Sequence, residues 1–493
     1  MNRKTLMAAL CIFAGACAQQ TSAPAAPNSE IIIRNVTIVS PERTAPGEAM
    51  DVLIRDGRIA EVGRDLAAHE HSMEIDGAGK YLTPGLIDGH THLGWIAGMS
   101  PAQEQANPEL ADRARAQIPR SYLYYGFTTV VDLSGEPDSI AAWNAAPMSP
   151  QAYFCGGAPI MDGYPMLFAP KPLRYSIMPY FLMENGVAPD GVDAADHTPG
   201  AVVERIKRDG GICVKTHYED GFGDTNDWPV PSADLIRELV AKAHEHNMPV
   251  LLHANAEESQ EIGLDAGVDA FAHGMWTWRA ADIDLNDEIV ALLDRIIAAK
   301  IATQPTVQVL FGERDLHDPE YLAGEDLKHA VPQELIDWYG SEDGQTDRMQ
   351  AAGSPYLADF LQAEGWQAID AEPIARVKAA TAYLAAHGGR LLFGSDTPSA
   401  PTFANPPGLN GREEMRHWAE AGIAPMQFLR AATLVNAAFF NLEDEIGSVE
   451  AGKRADLLLL LEDPSQSITA FDSIELVIVA GEVAARDTLS AKR

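Results

Sequence analysis

The feature that most constrains the fold is a set of short, uninterrupted apolar runs separated by stretches with helical spacing. These runs lie near residues 85–90, 128–133, 152–155, 212–216, 250–253, 270–273, 301–304 and 391–394. Segments such as "ADLIRELVAKAHEH" from Ala233 to His246 fall between them, with apolar residues recurring near every 3.6 positions. A continuous apolar strand is buried on both faces, as in a parallel sheet covered by helices, whereas a strand with one wet face alternates. Eight such strands are the number that a closed (β/α)8 barrel requires, so the expected class is α/β with a TIM barrel.

The two ends of the chain follow another pattern. "IIIRNVTIVS" and "DVLIRDGRIAEVG", with a turn signal at Asp56 and Gly57, read as short strands, as do "ADLLLLLED" and "IELVIVAGEVAA" near the C-terminus. A few short strands at either end do not make a sound core alone, which predicts that both ends pack into one small composite β-sandwich interrupted by the barrel. The expected division is 31–82 for the first sandwich part, 83–440 for the barrel and 441–493 for the second part. Two long connections, 156–200 and 307–371, read as binding loops, and Met161, Tyr164, Met166 and Phe168 in the first are candidates for apolar pocket walls.

Ahead of the strands, Arg3 and Lys4 precede an apolar stretch that ends in the small residues before Cys17, a signal-peptide pattern over residues 1–17. "FAGAC" resembles a lipobox, which would place lipid on Cys17, and residues 18–30 read as a flexible tether. The expectation is an exported lipoprotein facing the periplasm or cell envelope, touching membrane only through that anchor. A formal net charge of -35 excludes nucleic acid as a partner and favours neutral or cationic small molecules. With Cys11 in the signal and Cys17 lipidated, only Cys155 and Cys213 remain to form a disulfide. Oligomeric state has no signature in the sequence, and a homo-oligomer is compatible with it.

Barrel chemistry sits at the C-terminal ends of the strands. His90 and His92 in "GLIDGHTHLG" end the first strand and, two residues apart, project from one face. Lys215 ends the fourth in "GICVKTHYE", His253 the fifth in "PVLLHAN", His273 the sixth in "DAFAHGMW" and Asp396 the eighth in "LLFGSDTP". Any one of these would pass as a strand cap or a satisfied core residue. Their joint occurrence at one end of successive strands points to a metal centre. A buried ammonium beside cations would be repelled, so Lys215 reads best as a carbamate formed with carbon dioxide. A Schiff-base lysine, or one paired with Glu219 or Asp220, is the alternative. His217, Tyr218, Asn255 and Arg279, with Arg174, lie in segments that can line the barrel mouth and meet a polar group of the substrate, and a surface or supporting position is the alternative for each arginine, His217 and Tyr218.

"LTPGLIDGHTH", "GVDAFAHG", "FGSD" and "TLVNAAFFNLEDEIGSVEAGKRADLLLL" together resemble the amidohydrolase superfamily, in particular its binuclear-metal branch of imidazolonepropionase-like and Xaa-Pro dipeptidase-like enzymes. The resemblance covers nearly the whole chain after Ile31. It implies one divalent ion on His90, His92 and Asp396, a second on His253 and His273, and a carbamylated Lys215 bridging both. Zinc is the first choice for imidazole and carboxylate ligands. The implied reaction is hydrolysis of a carbon–nitrogen bond in a small molecule such as an N-acyl amino acid, dipeptide or cyclic amide. A hydroxide shared by the ions attacks, and Asp396 passes its proton to the leaving nitrogen. Dipeptidase-like relatives carry a Tyr two residues after the fifth-strand His, where this chain has Asn255, which weakens a dipeptide assignment. A lactonase or phosphotriesterase would use the same centre, and a metal-binding lipoprotein without activity is the non-enzyme alternative.

Overall fold

A computed structural model describes residues 30–492, apart from 172, 185–186, 223–225, 281–282, 347–354 and 400–401. The signal segment, Cys17 and nearly all of the tether lie outside the described residues. Among the described residues no helix is long and apolar enough to cross a membrane.

The N-terminal strands are β1 (Ile31–Ile38), β2 (Gly47–Arg55), β3 (Arg58–Gly63), β4 (Met73–Asp76) and β5 (Tyr81–Pro84). β2 and β3 form the hairpin expected at Asp56 and Gly57. Both turn residues have positive φ, 49° and 75°, and in a two-residue turn that conformation suits the twist of the strands it joins.

The barrel strands are β6 (Leu86–Thr91), β7 (Phe127–Asp132), β8 (Gln151–Gly157), β9 (Cys213–His217), β10 (Val250–His253), β11 (Ala270–Phe271), β12 (Ala302–Thr303) and β13 (Arg390–Leu391). They pair in chain order, every neighbour parallel. The last three are shorter than their apolar runs, although single hydrogen bonds such as Leu392 N–H to Thr303 O (2.9 Å) carry the pairing onward. The chain after β13 returns to β6: Gly89 donates to Phe393 O (3.0 Å), Asp396 to His90 O (2.7 Å) and His92 to Thr397 O (2.8 Å). These bonds join the eighth strand's extension to the first strand.

Both faces of the barrel sheet are buried. Ile87, Val131, Cys155, Cys213, Leu251, Ala302 and Leu392 form an inner cluster that also includes Phe439 and Phe440. Phe154, Val214, Val250, Leu252 and Phe271 face outward, in one cluster with the apolar stripe Leu235, Ile236, Leu239 and Val240 of the helix Ala233–His244. The two remaining cysteines, directly paired in register on β8 and β9, form a disulfide within the inner cluster.

The C-terminal strands β14 (Leu457–Leu460), β15 (Ile474–Val479) and β16 (Glu482–Ala485) join the N-terminal ones in a single hydrogen-bonded sheet, ordered β16, β15, β14, β5, β1, β2, β3, with β4 also on β1. The two chain ends therefore meet through backbone ladders, β5 against β14. On one face Ile33, Val52, Ile54, Leu82, Leu457 and Leu459 share a core, and on the other Leu458, Leu460 and Val477 belong to the barrel's outer cluster.

Candidate metal centre and its surroundings

Strand alternation alone does not bring His90 to the centre. Ile87 belongs to the inner cluster, so a regular strand would turn His90 outward. The β6–β7 register shifts between Asp88 and Thr91, and such an irregularity reverses which residues face inward. Asp88, fully buried, secures the segment: its carboxylate accepts from the amides of His90 (3.2 Å) and Ser395 (2.9 Å) and from the Ser395 hydroxyl (2.5 Å). One side chain thus ties the end of β6 to the residue before Asp396.

His90, His92 and Asp396 offer ligand atoms all within 4.8 Å of one another. The Asp396 Oδ1 atom lies 3.0 Å from His92 Nε2 and 3.2 Å from His90 Nε2. Burial raises the proton affinity of Asp396, but the His90 and His92 rings set against its carboxylate outweigh it and hold the carboxyl well below the usual range. Asp396 also has positive φ, 53°, a conformation that Asp tolerates better than most residues and that strained functional sites often hold.

The donor set itself tests whether a metal fits. Both ring nitrogens of His90 are buried and neither has a hydrogen-bond partner, a costly state for an imidazole unless a lone pair is meant for an ion. Burial pushes the His90 proton affinity down to about 3, which leaves the ring neutral and able to ligate. The His92 Nδ1 atom sits 3.0 Å from Ser134 Oγ, and His273 Nδ1 sits 2.8 Å from Thr306 Oγ1. Such partners fix the tautomer and leave the other ring nitrogen for a metal. His273 stands 5.3 Å from His90 and 4.6 Å from His253, ring centre to ring centre, so the three rings line one space.

Lys215 is buried on β9, and its ammonium has no carboxylate within ion-pair distance among the described residues. Burial pushes it down to about 8, with Asp396 pulling the other way. Glu219 is engaged elsewhere: His253 Nε2 stands 3.0 Å from its Oε2, and Gly221 N–H donates to its Oε1 (3.1 Å).

The expected substrate contacts fall into two groups. His217, two residues beyond Lys215, has a buried Nδ1 without a partner, and its ring lies 5.7 Å from that of His253. Tyr218 is half-buried, its amide donating to His253 O (3.0 Å). Asn255 is buried, and its carbonyl accepts from the amides of Trp276 (2.6 Å) and Thr277 (3.2 Å), shaping the loop after β11. Arg279 is exposed and ion-paired to Glu257 (2.7 Å) and Glu261 (2.9 Å), and Arg174 is buried against Asp162. Both arginines are thus committed to carboxylates of the protein itself. Thr306 and Ser134 lie in no recognisable motif, and only their places just beyond strand ends could have singled them out, whereas Asp88 lies within "LTPGLIDGHTH" without its role being legible there.

Curated relatives match only in part. A dihydroorotase of Mycobacterium tuberculosis (strain ATCC 25618 / H37Rv) is 51% identical over 47 residues, 10% of this chain and 11% of the relative. An N-acetylglucosamine-6-phosphate deacetylase of Lysinibacillus sphaericus is 43% identical over 65 residues, 13% and 15% of the two chains. An L-hydantoinase of Paenarthrobacter aurescens is 33% identical over 64 residues, 13% of each. The chain thus spans between about a tenth and a seventh of the length of these relatives. Solved structures match over nearly the whole chain. A Xaa-Pro dipeptidase with bound methionine has a TM-score of 0.63 at 18% identity, covering 93% of this chain and 100% of that one. The A. niger ochratoxinase has a TM-score of 0.62 at 19%, covering 92% and 95%. Phenylurea hydrolase B has a TM-score of 0.62 at 22%, covering 93% and 98%. At these identities the likeness is one of fold. The model of the Amidohydrolase family matches residues 81–484, from β5 through the barrel to β16, and with that span this chain belongs to the amidohydrolase family.

Proposed function

We propose that this protein is a metal-dependent hydrolase that cleaves the carbon–nitrogen bond of a small-molecule amide, such as an N-acyl amino acid, a dipeptide or a cyclic amide. The observation that carries this reading is His90, buried with both ring nitrogens unpartnered beside His92 and Asp396. His90, His92 and Asp396 would hold one divalent ion, His253 and His273 a second, with zinc the first choice. Lys215 would bridge them as a carbamate, its amine nitrogen bonding to the carbon of carbon dioxide with loss of a proton. Burial, by lowering the lysine's proton affinity, favours the neutral amine that this addition needs.

Divalent ions bound there would supply an activated water near neutral pH and polarise the scissile carbonyl. The chain's own residues do the rest. Ser134 and Thr306 orient the rings of His92 and His273. Asp396, ionised and buried, accepts the proton of the attacking water at its carboxylate and delivers it to the leaving nitrogen. Asn255, in the position where related dipeptidases carry a Tyr, supports a substrate other than a dipeptide.

The test is a panel of N-acyl amino acids, dipeptides, cyclic amides, lactones and phosphotriesters offered to the metal-loaded protein. Highest kcat/KM on an amide supports the reading. An efficiency about 100-fold higher on lactones or phosphotriesters, about 2.7 kcal/mol of transition-state stabilisation, overturns it in favour of that chemistry. We also propose export with lipid on Cys17. Mass spectrometry of the mature N-terminus tests this, and a chain starting at Ala18 or later refutes the lipid anchor and means export without it.

A further inference from the structure

Four aromatic side chains from two separate connections meet beside the histidines. Tyr164 and Phe168 come from the connection after β8, Phe222 and Trp228 from the one after β9. The Tyr164 ring lies 4.8 Å from His253 and 5.7 Å from His217, so the group is continuous with the candidate metal centre. Tyr164 and Trp228 are parallel within 3°, at 6.0 Å. Phe168 and Phe222 each stand edge-on to both of them, at 5.3 to 5.9 Å.

Packing alone does not account for this cluster. Phe168 is 61% exposed and Phe222 41% exposed, next to a space lined by buried imidazoles. Single exposed apolar residues are ordinary on a protein surface, but contiguous aromatic surface walled against a polar centre is how ligand pockets are built. Two further rings face the same centre from elsewhere: Trp95, 51% exposed, stacks 5.9 Å from His92, and Trp276 lies 5.4 Å from His273. A flat ring from the substrate would extend the edge-to-face pattern already present, gaining an interaction that an aliphatic group of equal size lacks.

We propose that a group flanking the scissile bond of the substrate is aromatic and seats against Tyr164, Phe168, Phe222 and Trp228. This rests on the amide-hydrolase reading and narrows it to amides of aromatic acids or amines.

The test uses the whole metal-replete chain and two neutral chelating probes with the same head, benzohydroxamic acid and cyclohexanecarbohydroxamic acid, compared by titration calorimetry. The benzo probe should bind about tenfold more tightly, the size of one good ring contact beyond its buried area. Phe168→Ala and Phe222→Ala should each cut that ratio, and the double variant should bring it near one. Because both side chains are exposed, these variants should fold. The same preference should appear in kcat/KM for N-methylbenzamide over N-methylcyclohexanecarboxamide. Equal binding of the two probes, binding of neither, or an unchanged ratio in the double variant overturns the aromatic subsite. If the benzo probe is preferred but no amide is cleaved, the subsite stands and the amide reading fails. Amide cleavage without aromatic preference has the opposite meaning.

Discussion

Glu414 is fully buried on the helix Leu409–Glu420, and its carboxylate accepts from Gln308 N–H (2.8 Å) and Trp418 Nε1–H (2.9 Å). Gln308 starts the helix Gln308–Asp315, in the long connection after β12, so this carboxylate anchors a segment at the barrel mouth. Burial dominates and raises its pKa from 4.5 to about 7, with the donated hydrogen bonds working against it. The sign follows from linkage. Between pH 4.5 and 7 the unfolded chain has released this proton while the folded chain retains it, so stability is fully present below pH 4.5 and falls as pH rises to about 7. At about 1.4 kcal/mol per pH unit, the loss over that interval is on the order of 3 kcal/mol. Glu414→Gln removes the titration while turning one amide group toward a donor, at a cost of about 1–3 kcal/mol. The variant should therefore be less stable than the parent at pH 4.5, and the gap should close as pH approaches 7. Urea-denaturation midpoints of both proteins across this range decide it, since other titrating groups cancel in the difference. Parallel curves would refute the raised pKa.

Lys215→Ala should lose at least one of about two divalent ions per chain, read by elemental analysis, and full occupancy in the variant would end the bridging assignment. Asp396→Asn should fold and cut kcat by about 10² or more, the usual worth of a positioned proton-transfer group, whereas near-normal turnover would place the shuttle elsewhere. Thr306→Val should leave the barrel intact but weaken metal affinity about 10- to 100-fold, because His273 Nδ1 loses its orienting partner. Competition against a metal-binding dye measures the effect, and unchanged affinity would mean that packing alone holds the ring.

Sequence pattern shows the eight strands in order and the strand ends that carry the candidate ligands. Buried parallel strands leave an unbroken apolar signature, and a polar side chain closing such a run stands out against it: His253 after "VLL" and Asp396 after "LLFGS" are legible for that reason. The pairing of the chain ends is legible because each holds too few strands to form a core alone, though the ladder that joins β5 to β14 is not. Tertiary structure alone decided what lies between distant segments. Asp396 reaches His90 because the chain after β13 hydrogen-bonds back to β6, and His90 faces inward only through the register shift before Thr91, which the i, i+2 spacing of His90 and His92 does not reveal. The ion pairs of Arg279 to Glu257 and Glu261 likewise depend on where the helix carrying those carboxylates lies. Tyr164, Phe168, Phe222 and Trp228 form one surface although no local pattern links their two connections. Periodicity reports the environment of a residue along its own strand or helix, whereas partners brought together by barrel closure and loop convergence depend on chain paths that no window of sequence contains.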